Sequence, residues 1–348
     1  MPDDPRLESL RHWLGKQGGF DLQRIVPASA DASFRRYFRL ERMDGTTRIG
    51  MDAPPDHEDL ATYLRVSGLL EQCGIHVPHV HAADTALGFA VLEDLGATHL
   101  LTALNAGGDA GQMYADALQT LLQLQLAGDS ASLHLPPYDR ATLLREMQLL
   151  PDWYCRRHLR FEPDAEQLQL LEETFEFLVA EALTQPQVFV HRDYHSRNLM
   201  ITGQRSPGVI DFQDALRGPV GYDIASLLKD CYVEWPRARV EAWVMQFRAQ
   251  LLAGGGAGPA LAGQSPQQFL RWCDLIGLQR HIKVLGIFAR LFWRDGKSGY
   301  LADLPRTLGY VRATAAAYPE LARFSRFVEQ HLAPALADAN ARALASHT

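Results

Sequence analysis

Residues 187–202 read Gln-Val-Phe-Val-His-Arg-Asp-Tyr-His-Ser-Arg-Asn-Leu-Met-Ile-Thr, and residues 209–214 read Val-Ile-Asp-Phe-Gln-Asp. The apolar run at the start predicts a strand that ends on a loop carrying His191, Asp193 and Asn198. Extended structure then resumes, and a turn with a glycine at each end predicts a hairpin whose return strand ends on Asp211. The hairpin should place Asp211 beside the loop. We therefore expect three oxygen-bearing side chains, those of Asp193, Asn198 and Asp211, to converge.

Such a group of side chains suits phosphoryl transfer. Magnesium prefers a few carboxylate or amide oxygens and leaves its other positions to water and phosphate, a role that fits Asn198 and Asp211. Asp193 would stay free of metal, orient the attacking hydroxyl and accept its proton. The order His-x-Asp, Asn five residues later and Asp before an aromatic residue is similar to that of protein kinases. Turn-capping residues without chemistry, or a kinase fold that binds nucleotide without catalysis, are the alternatives.

The segment 218–227, Gly-Pro-Val-Gly-Tyr-Asp-Ile-Ala-Ser-Leu, follows the hairpin and begins a helix near Asp223. A carboxylate there can accept backbone N–H groups of the preceding loop. We expect Asp223 to hold the loop in shape and to take no part in the chemistry.

Composition excludes several classes of protein. The chain has 348 residues and a net charge of −7, which argues against a general binder of nucleic acid or of membrane surfaces. The first residues lack a basic segment followed by an apolar one, and no run of eighteen apolar residues occurs, so a cytoplasmic location is expected. The four cysteines are far apart and form no Cys-x-x-Cys pair, which favours reduced thiols over a zinc site.

The N-terminal region lacks the lysine that kinases use to hold phosphate. The four lysines of the chain are Lys16, Lys229, Lys283 and Lys297, so none lies between residues 17 and 228. An arginine must replace it, because arginine keeps its charge and binds phosphate bidentately. The candidates are Arg48 on a predicted strand at 46–52, and Arg35 or Arg36 on a hairpin at 28–40. Arg48 is preferred because it lies on the strand. Ser33, on the same hairpin, offers a hydroxyl to phosphate, although a plain surface hairpin is equally compatible with this segment.

Residues 89–96, Phe-Ala-Val-Leu-Glu-Asp-Leu-Gly, predict a strand that leads into a connector. The connector resembles the segment between the lobes of kinases, so backbone groups near Glu93 and Leu95 are candidates for adenine binding. An ordinary loop between a strand and a helix is the alternative. A further strand is predicted at 75–78.

From residue 111 onward the periodicity is helical. Asp139 is a predicted helix cap, and a further helix is predicted after Asp164. Glu146 and Trp153 are candidates for substrate binding, although Trp153, which falls between two predicted helices, suits packing equally well. A helix opened by Ser265 and a proline should have an apolar face and a basic face that contains Arg280 and Lys283. That basic face is either solvated or a wall of the cleft that attracts an anionic acceptor.

With these motifs in hand, the chain is identified as resembling the aminoglycoside phosphotransferase and choline kinase-like superfamily. Within it, the segments 191–198 and 210–214, together with Met-Asp-Ala-Pro-Pro at 51–55 and Gln-Arg-His-Ile-Lys-Val-Leu-Gly at 279–286, look like those of cell-wall-recycling N-acetylmuramate/N-acetylglucosamine kinases. The resemblance implies an α+β, protein-kinase-like two-lobe fold. Its small N-terminal nucleotide-binding lobe, residues 1–95, has an antiparallel sheet, and its larger, mainly helical C-terminal lobe, residues 96–348, carries the catalytic and substrate-binding groups.

The same resemblance implies a function. Asp193 would be the base, His191 would shape the loop, and Asn198 with Asp211 would hold Mg²⁺. ATP would phosphorylate the anomeric hydroxyl of an amino sugar, and a sugar-1-phosphate nucleotidyltransferase would consume the product in peptidoglycan recycling. A kinase for aminoglycosides or amino alcohols should need an acidic pocket to hold its cationic acceptor, and a nucleotide-binding module should not need Asp193.

Overall fold

A computed structural model of the chain describes residues 4–30, 34–255 and 257–346. The chain divides into two compact units: the first comprises Met1–Ala127 and Arg197–Ala215, and the second comprises Gly128–Ser196 and Leu216–Thr348. This division differs from the expected boundary after residue 95, because residues 96–127 and the hairpin before Asp211 group with the first unit.

The strands are β1 Phe20–Ala30, β2 Arg36–Arg42, β3 Thr47–Asp52, β4 Val80–Asp84, β5 Phe89–Glu93, β6 Gln187–Val190, β7 Leu199–Met200, β8 Gly208–Val209 and β9 Leu216–Pro219.

The α-helices are α1 Pro5–Gln17, α2 Leu60–Gln72, α3 Leu100–Asn105, α4 Ala110–Ala127, α5 Asp129–Ser132, α6 Arg140–Met147, α7 Ala165–Leu183, α8 Tyr222–Leu228, α9 Arg237–Ala253, α10 Gly258–Ala262, α11 Pro266–Asp295, α12 Leu304–Ala317, α13 Ala322–Phe327 and α14 Leu336–Ala345. Shorter 3₁₀ segments lie at Ser298–Asp303 and Pro319–Leu321, and π-helical segments at Leu150–Leu159 and Val328–Leu332.

The first unit is built on an antiparallel sheet with the strand order β1-β2-β3-β5-β4. Its helix α1 is capped by Asp4, whose carboxylate accepts the N–H of Leu7 at 3.0 Å, and a proline follows in the first turn. The buried face of α1 packs on Phe38 and other apolar residues of the sheet. Burial of this face, rather than helix propensity, stabilises α1 in this position.

The hairpin β7–β8 belongs to the same unit. Leu199 pairs with Val209 in its short ladder, and the N–H of Val209 donates to the carbonyl of His76 at 2.7 Å. Phe212, just beyond the hairpin, packs against Tyr63 of α2 with 4.8 Å between ring centroids. The predicted hairpin is therefore confirmed, and the chain after it is fixed against α2.

The strand predicted at residues 75–78 is wrong, because the strand of this region, β4, begins only at Val80. Ile75 and Val77 are buried, which explains their apolar character. Pro78 has no N–H to give to a ladder, so the segment does not pair as a strand.

The second unit is organised around α11, which packs against α6, α7, α8, α9 and α12. Two predicted helix caps are confirmed, because Asp139 accepts the N–H of Thr142 and Ser265 accepts the N–H of Gln268. The helix predicted after Asp164 is also present, and Asp164 forms a capping box with Gln167. The local sequence thus sets where these helices begin.

The alternative of a solvated basic face is wrong for the middle part of α11, whereas a basic wall that attracts an anionic acceptor stays a prediction. Arg280 and Lys283 are 4% and 5% exposed, whereas Arg294 in the last turn projects into solvent. Because other helices surround α11, its charged residues are buried with its apolar ones. Their charges must therefore find partners inside the unit.

Trp153 lies between α6 and α7, as expected, and belongs to the π-helical segment Leu150–Leu159. It is half-buried, whereas the neighbouring Tyr154 is fully buried. Among the described residues, no helix combines the length and the apolar character that a membrane crossing requires.

Candidate active site

Residues 191–196, the Asp193 loop, follow β6 in the second unit. Strand β6 pairs with β9, and Asp223 lies in the first turn of the helix that comes after β9. Its buried carboxylate accepts the N–H of His191 at 2.6 Å and the N–H of Arg192 at 3.0 Å. The backbone of Arg192 has φ 80°, in the left-handed region, so these two hydrogen bonds hold a conformation that a side chain disfavours. The positioning role expected for Asp223 is supported by this geometry.

A second buried aspartate holds the other end of the loop. Asp230, two residues beyond α8, accepts the N–H of Ser196 at 2.9 Å and that of Tyr232 at 3.0 Å. Sequence reasoning missed this residue, because its partner is a backbone group of a distant segment. His191 is buried and its ring lies edge-on to Tyr194, which agrees with a shaping role.

Asp193 is half-buried and surrounded by positive charge. Burial alone would raise the pKa of its carboxyl, but the charges of Lys283 and His195 outweigh that effect. Arg280 and Arg192 act in the same direction, so the pKa of Asp193 lies well below its usual range. The carboxylate is ionised at every working pH, and it can orient a hydroxyl and accept its proton late in the reaction.

Glu146 is the centre of a buried polar network in the same unit. Its carboxylate lies 3.1 Å from the ammonium of Lys283, accepts Gln279 at 3.1 Å, and also accepts hydrogen bonds from Arg192 and Tyr138. Burial raises the pKa of Glu146, but the nearby cations outweigh it and lower the pKa to about 2. Two candidates for substrate binding, Glu146 and Lys283, are thus already paired with each other.

In the first unit, Asn198 and Asp211 meet across the β7–β8 hairpin. The amide nitrogen of Asn198 lies 3.3 Å from a carboxylate oxygen of Asp211, and the N–H of Ile210 donates to the carbonyl of Asn198. Asp211 has φ 62°, a left-handed conformation that costs ~1 kcal/mol. In this conformation its carboxylate lies beside Asn198.

These two residues fit a magnesium ion by the chemistry of their donors. One carboxylate and one amide oxygen are what Mg²⁺ accepts when phosphate and water fill its other positions. The carboxylate of Asp211 is about one-third exposed, which leaves room for such ligands. Within the described part of the chain, no three His, Cys, Asp or Glu side chains gather into a metal site, so a cage made entirely of protein ligands is not formed there.

Arg35 is the arginine that lies beside Asp211. Its guanidinium donates to Asp211 at 3.2 Å and is 3.6 Å from the carboxylate of Glu58, which also accepts the N–H of Phe34. Glu58 is a residue that sequence reasoning missed. A cavity of about 250 Å³ opens next to this pair and is lined by Arg35, Glu58, Tyr63, Met51 and Asp214 among others.

The other two arginines are elsewhere. Arg36 forms ion pairs with Asp4 and Asp52, and Arg48 donates to the carbonyl of Thr47 at 2.8 Å. Arg36 is the partner of Asp52 across β2 and β3, and Arg48 is four residues before Asp52. At ~3.3 Å per residue, Arg48 is therefore roughly 13 Å along the strand from the end where Arg35 lies. This placement argues against Arg48 as the arginine that supplies positive charge beside Asp211.

The remaining candidates are Glu93, Leu95, Ser33 and Trp153. The N–H of Glu93 donates to the carbonyl of His79 at 2.8 Å, so this N–H is not available to adenine. Leu95 itself is buried against Gly208. Ser33 lies outside the described residues. Within the described residues, neither a hydrogen bond nor a ring contact joins Trp153 to the Glu146 network.

With this geometry in view, comparison with known proteins decides the family. The model of the phosphotransferase enzyme family matches residues 24–263, which is more than half of the chain. The chain belongs to the phosphotransferase enzyme family. The resemblance expected from the sequence is thereby confirmed, and the protein is an enzyme that transfers phosphoryl groups.

Curated relatives of this phosphotransferase cover almost its whole length. It is 44% identical to the N-acetylmuramate/N-acetylglucosamine kinase of Pseudomonas aeruginosa, over 94% of this chain and 97% of the relative. It is also 44% identical to the kinase of the same name from Neisseria meningitidis, over 91% of this chain and 93% of the relative.

Solved structures show the fold. A Plasmodium vivax ethanolamine kinase matches with a TM-score of 0.59 at 14% identity, over 87% of this chain and 84% of that one. The ADP-bound aminoglycoside phosphotransferase APH(2'')-Ib matches with a TM-score of 0.54 at 14% identity, over 87% and 97%. The predicted α+β fold of the protein-kinase type is confirmed.

Proposed function

We propose that this phosphotransferase is an ATP- and Mg²⁺-dependent kinase that phosphorylates the anomeric hydroxyl of N-acetylmuramate and N-acetylglucosamine. The observation that carries the proposal is the 44% identity to kinases named for these two sugars, over more than nine-tenths of both chains. An alignment of this extent spans the Asp193 loop and the Glu146 network as well as the scaffold.

In this proposal Asp193 orients the anomeric hydroxyl and accepts its proton. Phosphoryl transfer passes through a loose transition state, so the hydroxyl loses its proton late and a weakly basic carboxylate suffices. An anomeric hydroxyl is more acidic than an ordinary alcohol, which reduces the demand on the base further. The low pKa of Asp193 is therefore compatible with its role.

The nucleotide and metal are assigned to the first unit. Asn198 and Asp211 would hold Mg²⁺, which neutralises phosphate charge when it is bound. Arg35 would supply the cation that the missing lysine supplies elsewhere, since its side chain adjoins Asp211. The backbone near Glu93 and Leu95 is the candidate for adenine.

The product would be a sugar 1-phosphate. A phosphate at the anomeric carbon is the usual acceptor for a nucleotidyl group, so a sugar-1-phosphate nucleotidyltransferase is the class of enzyme that should consume it. This places the enzyme in the recycling of peptidoglycan sugars. Because its donor is ATP, we assign it to the cytoplasm.

The test is a substrate panel with products assigned by phosphorus NMR. N-acetylmuramate and N-acetylglucosamine should yield 1-phosphates, whereas an aminoglycoside and choline should remain unchanged. The reduced sugar N-acetylglucosaminitol is a matched control, because it lacks the anomeric centre and keeps the other hydroxyls. Phosphorylation of this alditol, or at position 6 of the sugar, would overturn the proposal.

A further inference from the structure

Arg280 has an unusual setting in the middle of α11. Its side chain is buried, yet among the described residues no carboxylate oxygen lies within 4.0 Å of its guanidinium. Within that part of the chain its one polar contact is a donation to the sulfur of Cys231 at 3.7 Å, and its Nε has no hydrogen-bond partner. A guanidinium carries five N–H donors, so most of the hydrogen-bonding capacity of Arg280 is unused.

Lys283, one turn further along α11, differs from Arg280. Its ammonium is 3.1 Å from Glu146 and donates to the hydroxyl of Tyr222 at 3.5 Å. An ammonium group paired in this way inside a protein has little uncompensated charge with which to bind a ligand. The two basic residues expected to act together thus have different surroundings.

Charged and ionisable groups nearby stabilise the positive charge of Arg280, although most of its N–H donors make no hydrogen bond among the described residues. Burial lowers its pKa, but Cys231, Tyr222 and Asp193 outweigh this effect and keep the group a cation. The same interaction helps to keep the pKa of Asp193 low. Arg280 therefore lies within electrostatic range of the carboxylate that would orient the acceptor, and both residues belong to the second unit.

We propose that Arg280 binds the carboxylate of an acidic acceptor sugar, whereas Lys283 has a structural role as the partner of Glu146. The fork of a guanidinium matches the two oxygens of a carboxylate, and such charge-assisted pairs are short and directional. The inference rests on the proposed function and deepens it, because the lactyl group is what distinguishes N-acetylmuramate from N-acetylglucosamine. Buried donors that lack a partner are the feature that allows a site to discriminate between ligands with and without the complementary group.

The experiment compares three acceptors in the intact enzyme: N-acetylmuramate, its lactyl amide and N-acetylglucosamine. Arg280→Met, which keeps much of the length of the side chain, should lower the kcat/KM ratio of the acid to N-acetylglucosamine by about 10- to 100-fold. Arg280→Lys, which keeps the charge and loses the fork, should be intermediate. The kcat/KM ratio is used because any effect of the substitution on Asp193 changes kcat/KM for both sugars alike and cancels in the ratio.

Lys283→Met is the matched control. It leaves Glu146 without its ammonium partner, so it should weaken the enzyme toward both sugars equally and leave their ratio unchanged. An unchanged ratio in Arg280→Met, or a changed ratio in Lys283→Met, would overturn the assignment. Thermal melting of each variant identifies those that fail to fold, and Arg280→Lys keeps the test available if Arg280→Met is one of them.

Equilibrium binding separates failure of this inference from failure of the proposed function. If the wild-type enzyme phosphorylates neither sugar, the proposed function fails. Calorimetric titration with N-acetylmuramate and its amide then still decides the role of Arg280. Tighter binding of the acid that disappears in Arg280→Met supports the inference, and equal binding of acid and amide by the wild type contradicts it.

Discussion

Replacing Asp223 by asparagine should make the protein more stable at alkaline pH while it lowers activity. Burial raises the pKa of this carboxyl, the N–H groups of His191 and Arg192 oppose the rise, and the net value is about 7 against an ordinary 3.8. Each tenfold change in proton affinity corresponds to ~1.36 kcal/mol, so the ionised group costs the folded state ~4 kcal/mol at pH 8.

The sign follows from which state binds the proton more tightly. Between pH 4 and pH 7 the folded protein retains the proton of Asp223 and the unfolded chain has lost it. This contribution to stability is therefore complete below pH 4 and is lost as the pH rises through 7. The Asp223→Asn variant would lack this slope, and it would lose one of the two accepted hydrogen bonds at a cost of ~1–3 kcal/mol. The net gain at pH 8 should be ~1–3 kcal/mol.

Activity should change in the opposite direction. Asparagine has one acceptor oxygen, so either His191 or Arg192 loses its backbone partner and the Asp193 loop is held less firmly. We expect kcat to fall by about 10- to 100-fold, which corresponds to ~1.4–2.7 kcal/mol of transition-state stabilisation.

The assay is urea unfolding at pH 5, 6, 7 and 8, with kcat measured on the same samples. Asp164→Asn is a matched control, since it replaces an exposed capping carboxylate by another good cap and should keep the pH slope of the wild type. Parallel stability curves for the wild type and Asp223→Asn across this range would refute the reasoning, because Asp223 would then titrate as an ordinary carboxyl.

Three further predictions concern the nucleotide and the chemistry. Asp193→Asn should abolish turnover with nucleotide affinity unchanged, checked by single-turnover kinetics and calorimetric titration; turnover at the wild-type rate would remove Asp193 from the mechanism. Asp211→Ala should weaken magnesium-nucleotide binding as well as the rate, and an unaltered magnesium dependence would exclude it as a ligand. Arg35→Ala should raise the apparent ATP constant by roughly tenfold, whereas Arg48→Ala, a control on β3, should leave it unchanged; the reverse result would restore Arg48 as the phosphate-binding cation.

Local chemistry made much of the fold predictable from sequence. Helix starts at Asp139, Asp164 and Ser265 depend on hydrogen bonds within one turn, so the residue types there were sufficient to predict them. The β7–β8 hairpin likewise depends on a short turn, and the meeting of Asn198 with Asp211 followed from it.

Contacts between distant segments were not predictable. Periodicity reports the polarity of side chains and not their partners, so Lys283 suggested a basic face although it pairs with Glu146 of another helix. For the same reason the sequence did not indicate Glu58, whose role depends on its distance from Arg35. Arg48 was preferred because it lies on a strand, but position along that strand decides which arginine adjoins Asp211, and the sequence does not supply the register of the sheet.

The first unit consists of two separate stretches of chain, Met1–Ala127 and Arg197–Ala215. A ribosome makes residues 128–196, which belong to the other unit, before it makes the hairpin that places Phe212 against Tyr63. During synthesis the N-terminal stretch must therefore wait, with the surface that receives the hairpin uncovered, until residue 215 has emerged. At ~5–20 residues per second this interval lasts roughly 4–18 seconds. Truncations that end between 127 and 197 should consequently aggregate or be degraded, even though they contain the whole antiparallel sheet.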